Sequence, residues 1–168
     1  YRLDGKGFFL SGIPYELSEA ATRYIQPESN QILVRRILNV LLERQLVEVP
    51  NEEGASTTLK IKFGTGMGMQ HSSETADLAL YNLMERSALS DRSFQQEHGI
   101  GAYVRFRDDL LLMGSSRLGS RQFVQHLMQH SGCYQLEIEQ VSTTSVQMVS
   151  ERLTNLFGII CTAVPITP

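Results

Sequence analysis

Cysteine is scarce. Cys133 and Cys161 are the two cysteines among 168 residues, too few for a disulfide framework, and they lack the C-x-x-C spacing of a zinc site. A reducing setting is the expectation. Positive charge is also short. Fifteen Lys+Arg stand against 18 Asp+Glu, a formal net charge of -3, so no sequence-wide field draws the chain to polyanions and any nucleic-acid contact must be local. The most apolar stretch, Leu156 to Val164, is far shorter than a membrane span, and no stretch has the pattern of a signal peptide. No membrane partner is expected, and the location expected is intracellular, nuclear or cytoplasmic. The sequence has no G-K-[ST] of a Walker loop and no Ser/His/Asp or Cys/His grouping with a supporting motif, which leaves nucleophilic catalysis unsupported. Internal repeats and low-complexity tracts are absent too. What is present is globular: 42% hydrophobic and 20% charged residues over a length that fits one domain, or one domain plus an appendage. The chain opens at Tyr1, without a methionine, on an apparent strand. A segment of something longer is the expectation.

The pattern predicts a short strand at Tyr1 to Asp4, a turn around Ser11 to Pro14, and helices over Glu16 to Ile25 and Ser29 to Gln45, with Ser29 as cap. Leu46 to Val49 reads as extended. Thr57 to Phe63 alternates as a half-buried strand does, and glycines follow it. A helix is predicted from Ser73 to Arg86, then a polar connection from Ser87 to Gly101 with one helical turn near Phe94. Tyr103 to Phe106 and Leu110 to Met113 flank a tight acidic turn, the form of a hairpin. A helix over Ser120 to Gln129, a strand over Tyr134 to Gln140 and a further strand over Ser145 to Val149 complete the order. Strand, helices, strand, helix, hairpin, helix, strand suits an α+β fold with helices on one face of a sheet.

Three groups of residues carry chemistry. Asp108 and Asp109 are adjacent carboxylates at a turn; they repel unless solvent, a cationic side chain or a divalent cation neutralises them. Arg105 and Arg107 stand nearby as candidate counter-charges. Asp4 adds a third carboxylate at a strand end, and three convergent Asp oxygens suit Mg²⁺. Gly64-x-Gly66-x-Gly68 lies between a strand and a helix, but its third glycine comes one position too early for a dinucleotide fingerprint. It serves either as a flexible connection or as bare backbone that a base or nucleotide approaches closely. His126 and His130, four apart on a helix with Cys133 beyond, fit a solvated helix face better than a zinc site.

Taken in order, these segments resemble the palm of reverse transcriptases. Leu3-Asp4-Gly5-Lys6-Gly7-Phe8-Phe9 is similar to motif A, an aspartate followed five residues later by an aromatic against the nucleotide sugar. Gly66-Met67-Gly68-Met69-Gln70-His71-Ser72, running into Ala76-Asp77-Leu78, is similar to motif B, and Phe106-Arg107-Asp108-Asp109 to the Y-x-D-D of motif C. Met67, Asp77 and Phe106 stand where many relatives carry Gln, Asn and Tyr. The resemblance implies a palm over residues 1–150 and a C-terminal extension over 151–168. It implies an antiparallel sheet with a catalytic hairpin. It also implies two Mg²⁺ ions, or Mn²⁺ in their place, at Asp4, Asp108 and Asp109. Substrate would lie against Phe9, Gly68, Ser72, Phe106 and Arg107, with Phe9 facing the cation-holding cleft as a gate against the 2′-hydroxyl. The partners it implies are an RNA template, a DNA primer, deoxynucleoside triphosphates, and fingers and thumb from a longer parent chain. Three other readings stay open: an RNA-dependent RNA polymerase palm, a palm without turnover that binds nucleic acid or protein, and a nucleotide-binding α/β module, which requires a parallel sheet.

Overall fold

The computed structural model describes residues 1–50, 54–66 and 68–141. The expected strand at Ser145 to Val149, the C-terminal extension and Met67 lie outside the described residues. The main sheet has four strands in the order β4-β5-β1-β6, every neighbouring pair antiparallel. This arrangement leaves no support for the parallel nucleotide-binding module. Strand β1 (Arg2–Lys6) is central, between β5 (Asp109–Gly114) and β6 (Gln135–Gln140), with β4 (Ile100–Phe106) at the edge.

Strand side chains alternate between faces. Leu3, Leu110, Leu112 and Leu136 point to one face and are 0–6% exposed. Helices α1 (Pro14–Thr22), α3 (Ser72–Leu80) and α6 (Arg117–His130) contribute Leu17, Ala20, Ala76, Ala79, Leu80, Phe123 and Leu127 to the same core. The opposite face carries Arg2, Asp4, Lys6 and Asp109. The α+β layering follows from this division into one greasy and one charged sheet face. No described helix is long and apolar enough to cross a membrane.

Several elements depart from the sequence expectations, each for a local reason. Helix α2 (Glu28–Glu43) starts directly after Pro27, whose φ of -70° suits helix entry, so Ser29 lies inside the first turn and is not the cap. Strands β2 (Leu46–Pro50) and β3 (Ser56–Lys60) pair in register from Leu46 opposite Lys60 to Pro50 opposite Ser56. Both are exposed along their whole length. The half-buried strand expected at Thr57 to Phe63 is therefore shorter and uncovered: the alternation is present, but no described layer covers either face. The helix expected at Ser73 to Arg86 runs on through a π-helical turn, Tyr81–Glu85, into α4 (Arg86–Ser90). Asp91 then caps α5 (Arg92–Glu97) by accepting from the Phe94 amide at 3.1 Å; this is the helical turn expected near Phe94 in the polar connection.

The π-turn redirects the side chains that pack behind the sheet. One extra residue per turn shifts the inward face. Asn82 Nδ2 donates to the Ala20 and Ala21 carbonyls at 2.9 and 3.3 Å at the end of α1, and Glu85 faces β4. On α6, the His126 ring packs on Phe94 with 4.7 Å between centroids and stacks on His130 at 4.2 Å. Burial, with His130 and His98 adding to it, lowers the His126 pKa.

Candidate active site at the acidic hairpin

Strand β4 ends at Phe106 and β5 begins at Asp109, so Arg107 and Asp108 form a two-residue loop. Arg107 has φ 59°, a left-handed value at the position that glycine fills in type II′ hairpins. On the other side of β5 lies β1, in a register that sets Asp4 directly opposite Asp109. Cross-strand partners share a face, so both aspartates stand on the charged face of the sheet. The Gly5 amide donates to the Asp108 carbonyl at 2.8 Å, and a Cβ on Gly5 would lie 3.6 Å from the Asp108 Cα. Residues far apart along the chain thus meet because β1 occupies the middle of the sheet.

Asp4 and Asp109 each hold a cation of their own. Asp4 Oδ2 takes Lys6 Nζ at 2.6 Å, and Asp109 Oδ1 takes Arg2 Nη2 at 3.0 Å. Their like charge drives each toward its nearest cation. Hydrogen bonding to Asp4, then its charge, raises the Lys6 pKa; the bond to Asp109 does the same for Arg2. These pairs are partly solvated and hold little energy. Among the described residues, no group of three or more His, Cys, Asp or Glu side chains stands ready around one point. The donor chemistry nevertheless suits a hard divalent cation: three carboxylates, from β1, from β5 and from the turn between β4 and β5, of which Asp4 and Asp109 are paired with Lys6 and Arg2.

The glycine segment docks by its backbone on the turn that follows β1. Gly7, at φ 62°, ends β1 and leads into a 3-10 turn over Phe8–Leu10. Phe8 is buried, and Phe9 is half-buried, edge-on to Phe8 at 4.9 Å. The Gly64 amide donates to the Gly12 carbonyl at 2.7 Å and the Thr65 amide to the Phe9 carbonyl at 2.9 Å. Gln45, buried, adds a bond from Nε2 to the Gly64 carbonyl at 3.2 Å. Gly68 is exposed at φ 88°, and a Cβ there would meet open space. Ser72, expected against substrate, is turned inward: its hydroxyl reaches the Thr65 carbonyl at 2.6 Å and the Gly66 carbonyl as well. It is buried, so in this arrangement it clamps the loop. Phe106, by contrast, is 57% exposed, in register with Asp109 on the charged face.

Arg105 and Arg107 do not balance Asp108 and Asp109; they turn to the helix layer instead. Arg105 donates from Nε to Glu85 Oε1 at 2.7 Å and from Nη1 to Asp77 Oδ1 at 2.6 Å. Arg107 Nη1 donates to Asp77 Oδ2 at 3.2 Å. Asp77 therefore serves two guanidinium groups. Glu85 also accepts from the Tyr103 hydroxyl at 2.5 Å. Sequence reasoning missed this group. The available signal was Tyr103 and Arg105 two apart on one strand, which puts both on a single face and obliges any buried charge to find a partner. Burial opposes the charge of Arg105, but Glu85 and Asp77 outweigh it and its pKa rises.

Burial first, and the Glu85 charge second, push the Tyr103 hydroxyl far above its ordinary pKa; burial does the same for Tyr134. A raised folded pKa gives stability that is complete below the unfolded pKa of about 10 and is lost as pH climbs above it. Stability should fall above about pH 10 with a slope of about 1.4 kcal/mol per pH unit for each tyrosine held protonated. Urea unfolding at pH 9 and pH 11 measures it. Tyr103→Phe should show the smaller loss, and an identical loss in both chains would contradict the assignment. No protein-family model, no curated protein and no solved structure matches the chain.

Proposed function

We propose that the chain is the palm of an RNA-directed DNA polymerase, transferring deoxynucleotidyl groups from triphosphates to the 3′-end of a DNA primer on an RNA template. One observation carries the reading: Asp4 lies in register beside Asp109, with the Asp108 carbonyl held by the next residue of β1. Asp4, Asp108 and Asp109 would hold two Mg²⁺ ions, or Mn²⁺. When bound, such ions supply charge neutralisation at the triphosphate and a more acidic primer hydroxyl.

The remaining work falls to the chain itself. Phe9 would sit beneath the sugar and exclude a 2′-hydroxyl. This favours deoxynucleotides and speaks for the DNA-making enzyme over an RNA-dependent RNA polymerase. Gly68 has the open, side-chain-free backbone against which a base pair can lie. Phe106, exposed beside Asp109, offers an aromatic face to primer sugar or base. Lys6 and Arg2, now paired with Asp4 and Asp109, become available to phosphate oxygens once cations take those carboxylates. Fingers and thumb from a longer parent chain would supply the wider basic grip that a formal net charge of -3 does not.

A palm that binds nucleic acid without turnover is the second reading, favoured by the pairing of Asp4 with Lys6. Primer extension by the longer parent, with and without Asp108→Asn, separates the two. The polymerase reading expects extension to drop by about 10²–10³, the loss that removing one electrostatic stabiliser causes, while primer-template binding persists. Equal extension in both proteins would end that reading, and binding without any extension would establish the second.

A further inference from the structure

We infer that Arg105 is a positioning residue that clamps the hairpin turn, holding Arg107 in its left-handed conformation and the Asp108 backbone against Gly5. The inference rests on the polymerase reading only for its consequence, that the turn sets where Asp108 stands relative to Asp4. Three observations carry the clamp itself.

The turn is strained. A non-glycine residue at φ 59° costs free energy and persists where its surroundings over-determine it. The over-determination is visible: Arg105 Nη1 donates to the Arg107 carbonyl at 3.1 Å, so the guanidinium bonds the backbone of the strained residue itself. The guanidinium is in turn fixed from behind. Glu85 takes Nε, the Asp77 carboxylate takes Nη1, and the Asp77 carbonyl takes Nη2 at 3.2 Å.

A planar fork satisfied on several sides has one orientation, which a lysine could not reproduce. Asp77 then also accepts from the Arg107 side chain, so one carboxylate of α3 holds that side chain directly and the Arg107 carbonyl through Arg105. The chain from Glu85 through Arg105 to Arg107 ends at the peptide that presents Asp108. The Asp108 carbonyl receives the Gly5 amide, and that bond reports on the clamp.

The test is hydrogen exchange at the Gly5 amide in the full chain. Arg105→Lys should speed exchange by about tenfold, and the milder Asp77→Asn should do so to a smaller degree, because freeing a strained turn raises its local opening. Glycine tolerates the left-handed conformation without help. Adding Arg107→Gly to Arg105→Lys should therefore return Gly5 to its original protection, which a general loss of packing would not allow. Unchanged exchange in both single variants, or a loss that Arg107→Gly fails to restore, overturns the clamp.

Titration with Mn²⁺ alone, read by water-proton relaxation, tests the consequence separately. Affinity should weaken with Arg105→Lys and recover in the double variant. If Asp4→Asn leaves Mn²⁺ binding untouched, the metal reading fails while the exchange result still decides the clamp.

Discussion

Gly64→Ala should destabilise the chain by about 2–6 kcal/mol, as the sum of two independent penalties. The first is conformational: Gly64 sits at φ 78°, where a side chain costs about 1–3 kcal/mol. The second is steric: the new Cβ would collide with the Phe9 carbonyl and stand 2.5 Å from the Leu10 Cα, an overpacking penalty of about 1–3 kcal/mol. Both obstacles are backbone, so no flexible side chain can move aside. Relief requires the glycine segment to lift off the turn after β1, which sacrifices the bonds from Gly64 to Gly12 and from Thr65 to Phe9. Gly68→Ala is the control. It has a similar positive φ of 88° but open space around its Cβ, so only the conformational part remains. Urea midpoints of the two variants, compared with the parent, should differ by more than the error of the extrapolation. Equal midpoints for the two variants would refute the close docking of the Gly64 segment on the turn after β1.

That docking shows where sequence reading succeeds and where it stops. The hairpin around Arg107 and Asp108 is legible because alternation and a tight polar turn are short-range patterns. The helices α1, α2 and α6 are legible for the same reason, within a few residues at their ends. What short-range pattern does not carry is which surfaces are covered. Strand β3 alternates like a half-buried strand, yet every residue of it is exposed, because burial depends on a layer that the segment does not encode. Ser72 shows the same limit within the site. Its place in the motif suggested a substrate contact, but its hydroxyl satisfies the carbonyls of a loop that folds back over it. The meeting of Asp4 with Asp109 could not be had from periodicity at all, since it follows from strand order. The π-turn was invisible because it differs from an α-helix by one residue of register, and with it went Glu85.

Glu85→Ala should be the most damaging change on the helix layer, at about 3–5 kcal/mol, since it leaves the mostly buried Arg105 guanidinium without its inner partner. The Glu85 side chain is 3% exposed and that of Arg105 is 13% exposed, so water cannot replace the lost carboxylate. Tyr103 loses its acceptor in the same step, leaving a second buried donor unsatisfied. Glu85→Gln keeps an acceptor oxygen and the volume, so it should cost less, about 1–3 kcal/mol, the range for a weakened buried hydrogen bond to a charge. Replacing both ends tests the coupling. If the damage comes from a stranded charge, adding Arg105→Met to Glu85→Ala should recover part of the stability, because no buried ion is then left alone. If the damage comes only from the cavity, the double variant should be as unstable as the sum of the single ones. Chemical denaturation of the four chains closes the cycle. Recovery would show that this buried charge group adds little net stability of its own, and would leave the geometry it imposes on the Arg107 turn as the reason for its presence.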